Sequence, residues 1–391
     1  MADQNNNQFS RRERFDEVRQ TKKKKNRVKR WILYILMVVV LAVIGWGGYL
    51  YAQYKGSIDS LQQSAKISKT RNVSNLIAAG KPFSILVLGS DVGELDRDRT
   101  GLSDSMMVVT VNPKENKVTM VSIPRDIMTA IPGDEDTFPQ KLNAAYSLDG
   151  VGASMKAVQN YLNVPIDSYA VVNMAGLETL VKKVGGVSVK SPLSFQYSQE
   201  TAHDYGPDLY RFHKGSTSYE KSTDNGVTWS ASKTVMDGDA ALAFSRMRYD
   251  DPQGDYGRQE RQRLVLEAML KKAVNISTLV DPSFIKAISK NAKTDLSFND
   301  IVKIAQKYRG TVKNQVSDHL QGQGVTYYGG SLPVSYQMVP TTEKQRVTNL
   351  LRSQLDLKPK ETGSQFGGDV PTSGFRTAAS MLAQINEKFV Q

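Results

Sequence analysis

From residue 81 onward the chain alternates short apolar runs with longer stretches of helical period. Residues 84–89, 106–111 and 117–123 are rich in β-branched side chains and bounded by Gly and Pro signals, which predicts central strands. A helix over 152–162, a strand over 168–173 and a helix over 176–184 follow. Such alternation predicts an α/β domain with helices packed on a mixed sheet. Residues 191–236, rich in Tyr, Ser, Thr and Gly, interrupt the order as a hairpin-rich excursion. Helical period returns over 237–246 and strongly over 256–274, where Leu264, Leu266, Met269, Leu270 and Val274 form a buried stripe. Further helices are predicted over 283–290, 298–309 and 341–355, with a strand-like VTYYGG at 325–330.

Upstream, the pattern is of another kind. Residues 31–52, WILYILMVVVLAVIGWGGYLYA, carry no charge and reach the roughly 20 apolar residues a helix needs to span a bilayer. Trp31, Tyr34, Trp46, Tyr49 and Tyr51 lie towards the ends of the run, and TKKKKNRVKR precedes it, which predicts a single-pass helix with a cytoplasmic N-terminus. The run is too long for the apolar region of a signal peptide, and YLYAQY is a poor cleavage site. The expected organisation is a basic tail (1–30), a transmembrane helix (31–52), a polar stalk (53–80), an extracellular domain (81–357) and a loose tail (358–391). A short amphipathic end, AASMLAQINEKFV, lies within that tail.

Charge changes this picture little. Of the net +12, residues 1–30 supply +7, so the remainder is only mildly basic and does not point to nucleic acid. Anionic lipid is sufficient reason for the basic tail. The absence of cysteine fits an exported protein without disulfides. His203 and His213 have no cysteine partners and no i, i+4 histidine, so they are expected at the surface rather than on zinc.

Candidate chemistry gathers in four places. Asp91 and Asp104 sit at the mouths of two predicted strands. SIPRD presents Arg125 and Asp126 after Pro124 stops a strand, and QKLNAAY places Lys141 and Asn143 ahead of a helix. FSRMRYDDPQGDYGRQERQR holds Arg246 and Arg248 two apart, and Arg258 and Gln262 four apart, so each pair shares a face. Arginine forks suit phosphate oxygens, and magnesium is commonly held by one or two carboxylates plus phosphates. One ligand meets both needs: a pyrophosphate carrying Mg²⁺, with Mn²⁺ as the alternative ion. Asp126 and Asp255 would orient the arginines.

The segments ILVLGSD, GLSDSMMVVTV, VSIPRDI, KLNAAYSLDG, VVNMAGLETLVKKVGGV and DGDAALAFSRMRYDDPQGDYGRQERQRLVLEAML resemble, in order and spacing, the LytR-CpsA-Psr family over residues 81–275. The resemblance implies a membrane-anchored phosphotransferase of Gram-positive bacteria. Such enzymes move a glycopolymer (teichoic acid, capsular or other wall polysaccharide) from a polyprenyl pyrophosphate carrier to peptidoglycan. It also implies an α/β/α sandwich with an apolar pocket for the prenyl chain. Asp91 and Asp104 match the family's magnesium-binding acids. Arg125, Lys141, Arg246, Arg248, Arg258 and Gln262 match its pyrophosphate-binding groups, and Asp255 an acid of the same motif. Among these, Asp91, Asp104, Arg125 and Arg246 are the expected catalytic residues. One position departs: Leu102 stands where the family commonly has Arg, so Arg97 or Arg99 is a substitute for the missing cation. The rival expectations are a polyprenyl-pyrophosphate hydrolase and a non-enzymatic envelope regulator.

Overall fold

The apolar runs at the start of the domain become the middle of a six-stranded sheet. The computed structural model describes residues 62–90, 101–273, 292–328 and 332–368. The predicted transmembrane run, Asp91, Arg97, Arg99, Val274, the helix expected over 283–290 and the amphipathic end at the C-terminus lie outside these residues. No helix of the described residues is long and apolar enough to cross a membrane.

A short helix α1 (Val73–Ala78) leads into β1 (Phe83–Ser90), β2 (Ser103–Asn112) and β3 (Lys117–Ile123), which pair antiparallel in succession. The two-residue strands β4 (Met128–Thr129) and β5 (Gln140–Lys141) form a small ladder before helix α2 (Ala144–Leu162). Strand β6 (Ser168–Asn173) lies parallel to β1, and α3 (Met174–Lys183) follows it. The excursion is a three-stranded sheet of β7 (Phe195–Ser198), β8 (Leu209–Phe212) and β9 (Tyr219–Lys221). Then come α4 (Gly238–Arg246), α5 (Asp255–Ala273), β10 (Ala292–Thr294), α6 (Phe298–Lys307) and β11 (Gln315–His319). The hairpin β12 (Gln323–Tyr327) and β13 (Val334–Met338) and helix α7 (Thr341–Gln354) complete the domain. The main sheet runs β10-β6-β1-β2-β3-β11, with β10 antiparallel to β6 and β11 parallel to β3.

Alternation along the strands sends side chains to both faces of this mixed sheet. Leu86, Leu88, Met106, Val108, Val121 and Ile123 pack beneath α2 and α7. Phe83, Met107, Val109 and Met120 pack on the other face against α1, α6 and Leu266 and Leu270 of α5. Each fully buried chain of this size contributes about 1.5–3 kcal/mol, so both faces must be covered. Helix α5 is buried on two sides: Val265 and Met269 join the cluster under the three-stranded sheet. The expected single stripe is therefore two stripes. Helix α2 begins earlier than the periodicity indicated, at Ala144, because a break at Asp149 and Gly150 hides its first turn; Gly150 has φ +66.

Two expectations about the flanks need correction. Residues 62–80, read as a stalk, belong to the domain: Gln63 N–H donates to Thr294 O at 2.8 Å, and Val73 and Ile77 are buried. The carboxylate of Asp167, buried beneath β1, draws Arg71 in. Nor is the chain loose directly after residue 358. Phe366 is buried against Phe138, and its carbonyl accepts from Ala130 N–H and Thr129 Oγ1.

The same segment is fastened by a buried lysine. Lys344 of α7 donates to the carbonyls of Gly363 and Ser364 and lies 3.9 Å from the centre of the Tyr161 ring. Burial pushes its pKa from 10.5 down to about 7. The folded state then binds fewer protons than the unfolded chain above pH about 7, so this group makes stability rise with pH up to about 10. In urea titrations at pH 7 and pH 9, wild type is expected to gain more stability than Lys344→Met. Equal gains in both proteins would refute the assignment.

Candidate active site

The strand mouths are shaped by a bulge. Ser90, the last residue of β1, pairs with Ser103, and the register shifts between Gly89 and Ser90. A bulge re-aims the side chain beside it, and Asp104 stands at this one. Asp91 is the next residue after Ser90 along the chain. At the same end of the sheet, Pro124 stops β3, since proline offers no N–H to continue a ladder. The turn that follows is held by Asn143 N–H donating to Arg125 O at 3.1 Å and Leu142 N–H to Ile127 O at 2.9 Å. Arg125, Asp126 and Lys141 are thereby brought to the mouth of β2.

From there, charges alternate in a chain. Lys141 Nζ lies 2.8 Å from Asp126 Oδ1, and Asp126 Oδ2 lies 3.7 Å from Arg125 Nε. Arg125 Nη1 donates to Asp104 Oδ1. Arg258 Nη2, reaching over from α5, donates to the Asp104 carbonyl at 3.1 Å and pairs with Asp255. Arg248 Nε stands 3.7 Å from that same carboxylate, and Gln259 Nε2 donates to it at 2.8 Å. Gln262 lies one turn beyond Arg258, and Arg246 closes α4 two residues before Arg248. The structure thus joins seven of the expected residues directly, with Arg246 and Gln262 beside them.

Burial and pairing oppose one another here. Burial works against the Arg125 charge, but Asp104, Asp126 and Asp255 together raise its pKa above the ordinary arginine value. For Arg258, burial wins: its pKa is lowered despite Asp255, and Arg125 and Arg248 add to the lowering. Nε of Arg125, Nε of Arg258 and Oε1 of Gln262 are buried and make no hydrogen bond among the described residues. Buried polar atoms are rarely left so, and those in a native fold call for an explanation. Asp104 uses Oδ1 for Arg125. A carboxylate at a strand mouth suits a hard cation that keeps substrate oxygens as ligands.

One residue that sequence reasoning passed over holds the arrangement. Arg261 is fully buried, donating Nε to Phe244 O at 3.0 Å and Nη2 to Met247 O, while Nη1 pairs with Asp251. Burial lowers its pKa, and Asp251 offsets part of that. This guanidinium fixes the backbone on both sides of Arg246. Gly257 makes room for the carboxylate: a Cβ there would lie 1.9 Å from Asp251 Oδ2. Helical spacing was the available signal, because Arg261 precedes buried Val265 by one turn and Met269 by two.

Elsewhere the expected residues are scattered. Leu102 is 44 % exposed beside buried Ser103 at the rim. His213 Nε2 meets Glu220 at 2.7 Å, and His203 stacks between Tyr205 and Tyr249. Arg248 extends that stack, its guanidinium lying 5.7 Å from the Tyr249 ring centre. No three His, Cys, Asp or Glu side chains gather into a metal cage among the described residues.

The profile of the LytR-CpsA-Psr family matches residues 49–353. A curated Enterococcus faecalis protein named polyisoprenyl-teichoic acid–peptidoglycan teichoic acid transferase TagU is 39 % identical over 84 % of this chain and 97 % of its own. Among solved structures, a Streptococcus agalactiae protein is 32 % identical, with a TM-score of 0.62 over 76 % of this chain and 95 % of that one. The crystal structure of B. subtilis TagV is 31 % identical, with a TM-score of 0.56 over 72 % and 99 %. A mixed sheet carrying alternating charges at its strand mouths, in a chain matched over most of its length by the profile, makes this protein a member of the LytR-CpsA-Psr family.

Proposed function

We propose that this chain transfers a glycopolymer from a polyprenyl pyrophosphate carrier to peptidoglycan; its Enterococcus relative is named a polyisoprenyl-teichoic acid–peptidoglycan teichoic acid transferase. The observation that carries the reading is the chain Lys141–Asp126–Arg125–Asp104–Arg258–Asp255–Arg248, with buried donors left over on Arg125 and Arg258. A pyrophosphate supplies the oxygens these donors lack. The acceptor hydroxyl attacks the phosphorus nearer the glycan; an O–P bond forms, the bridging P–O bond breaks, and polyprenyl phosphate leaves. The hydroxyl proton passes to a carboxylate at the strand mouths. The arginines stay charged throughout and neutralise the oxygens as charge moves to the leaving phosphate. Asp104 and Asp91 would hold a magnesium ion, which when bound adds Lewis-acid polarisation of the same oxygens. The apolar run 31–52 would keep the domain on the membrane that carries the lipid donor.

The test is a reconstituted reaction of the full chain in detergent with a lipid-pyrophosphate glycan, peptidoglycan oligomers and Mg²⁺. Polyprenyl phosphate and polymer-bearing oligomers are expected together, and neither with Asp104→Ala. Free glycan phosphate without polymer-bearing oligomers would make the protein a hydrolase. Lipid binding without any release would make it a binding protein.

A further inference from the structure

Helix α5 carries a second polar stripe. Tyr256, Glu260 and Arg263 lie roughly 100° round the helix from Asp255, Gln259 and Gln262. Together with Gln253 and, from the end of β11 and the residues after it, His319 and Gln321, they line a cavity of about 470 Å³. Arg263 is only 8 % exposed, yet it has no carboxylate within ion-pair distance among the described residues. Its Nη1 donates to Ser122 Oγ at 2.8 Å, and its Nε makes no hydrogen bond. Burial lowers its pKa, and the more distant Glu260, Glu267 and Asp318 offset only part. Arg261, two residues earlier, shows how the fold treats a structural guanidinium: it receives an aspartate and two carbonyls. Arg263 is left with one hydroxyl and an opening.

The cavity is tied to the active site through Gln337. Gln337 N–H donates to Asp126 O at 2.8 Å, and Gln337 Oε1 accepts from Tyr256 O–H at 3.1 Å. Tyr256 Oη in turn accepts from Gly322 N–H at 2.7 Å. The cavity lining is thereby linked to the backbone of Asp126, and it includes none of the residues of the cation chain. If pyrophosphate takes that chain, the second anion site belongs to the second substrate. We infer that this cavity binds the acceptor, a peptidoglycan strand whose carboxylate sits on Arg263; the inference rests on the transfer reading above. The Tyr256 ring offers an apolar face for a sugar, and Gln253, Gln321 and Glu260 offer partners for N-acetyl and hydroxyl groups.

Two carboxylates of such a strand have the required chemistry, the lactyl acid of a denuded glycan and the acids of a stem peptide. Four probes separate them: a denuded oligomer, a peptide-bearing muropeptide, and each with its carboxyls amidated. Binding to the full chain is titrated without donor, and acceptor KM and kcat are then measured at saturating donor, with donor affinity measured separately. Arg263→Gln is expected to raise acceptor KM about ten- to a hundredfold, the loss of a buried charge-assisted bond, with donor affinity kept and Arg263→Lys recovering part. Whichever acid probe binds should lose wild-type affinity by a similar factor on amidation. Unchanged KM in Arg263→Gln, or equal binding of acid and amidated probes, would overturn the inference. Should Arg263→Gln fail to fold, the amidated probes on wild type still decide it. Absence of turnover in wild type would count against the transfer reading, whereas the probe titrations report on the cavity alone.

Discussion

Replacing Arg125 with alanine is expected to lower glycopolymer transfer by about 10²–10³-fold, the loss typical of removing one fixed group from a developing charge. The reason lies in its two roles. Its guanidinium joins Asp104 to Asp126, and its Nε is a buried donor with no hydrogen bond of its own. Without it, three carboxylates, Asp104, Asp126 and Asp255, lose the cation that each of them stabilises. Repulsion then displaces Asp104 as well as weakening the hold on phosphate. Arg125→Lys keeps the charge but loses the fork, so it should recover only part of the rate. Single-turnover release of polyprenyl phosphate at saturating donor measures this step. A wild-type rate in Arg125→Ala would remove the residue from the chemistry.

Arg261→Ala should give the largest loss of stability, about 3–5 kcal/mol, because it strands the Asp251 charge in the interior. The Asp251 side chain is 5 % exposed and that of Arg261 is fully buried. Two carbonyls, those of Phe244 and Met247, lose their donor at the same time. Urea denaturation gives the loss directly. A double variant, Arg261→Met with Asp251→Leu, should recover much of it, since removing both charges avoids the stranded one. Activity should not return with stability, because Met247 lies between Arg246 and Arg248 and its carbonyl would again be unheld. A loss of less than about 1 kcal/mol in Arg261→Ala, the range of an exposed pair, would show that the ion pair is solvated.

What was legible in the sequence follows from how locally each feature is determined. Strands β1, β2, β3 and β6 announce themselves because a strand buried on both faces reads as a near-continuous apolar run. The edge strands β10, AKT, and β11, QVSDH, have no such run, because backbone pairing to one neighbour defines them. Residues 62–80 looked like a spacer because Val73 and Ile77 are too few to show a period. At the site, Asp104 and Arg125 were legible as polar residues at the ends of apolar runs, and Lys141 as a residue ahead of a helix. Within RQERQR, spacing pairs Arg258 with Gln262 and Arg261 with Val265, but it does not show what surrounds each arginine. One meets the aspartates of the cation chain, one staples a turn and one lines a cavity. Which neighbour each face of α5 meets is decided by the sheet, the loop after α4 and the end of β11, all distant in the chain.

The fit of Gly257 against Asp251 makes three positions energetically interdependent. A side chain at 257 would press on the carboxylate, and loss of the carboxylate leaves the buried guanidinium of Arg261 uncompensated. The effects of substitutions at 251, 257 and 261 are therefore expected to be non-additive, whereas a change at the exposed Leu102 should add independently to any of them.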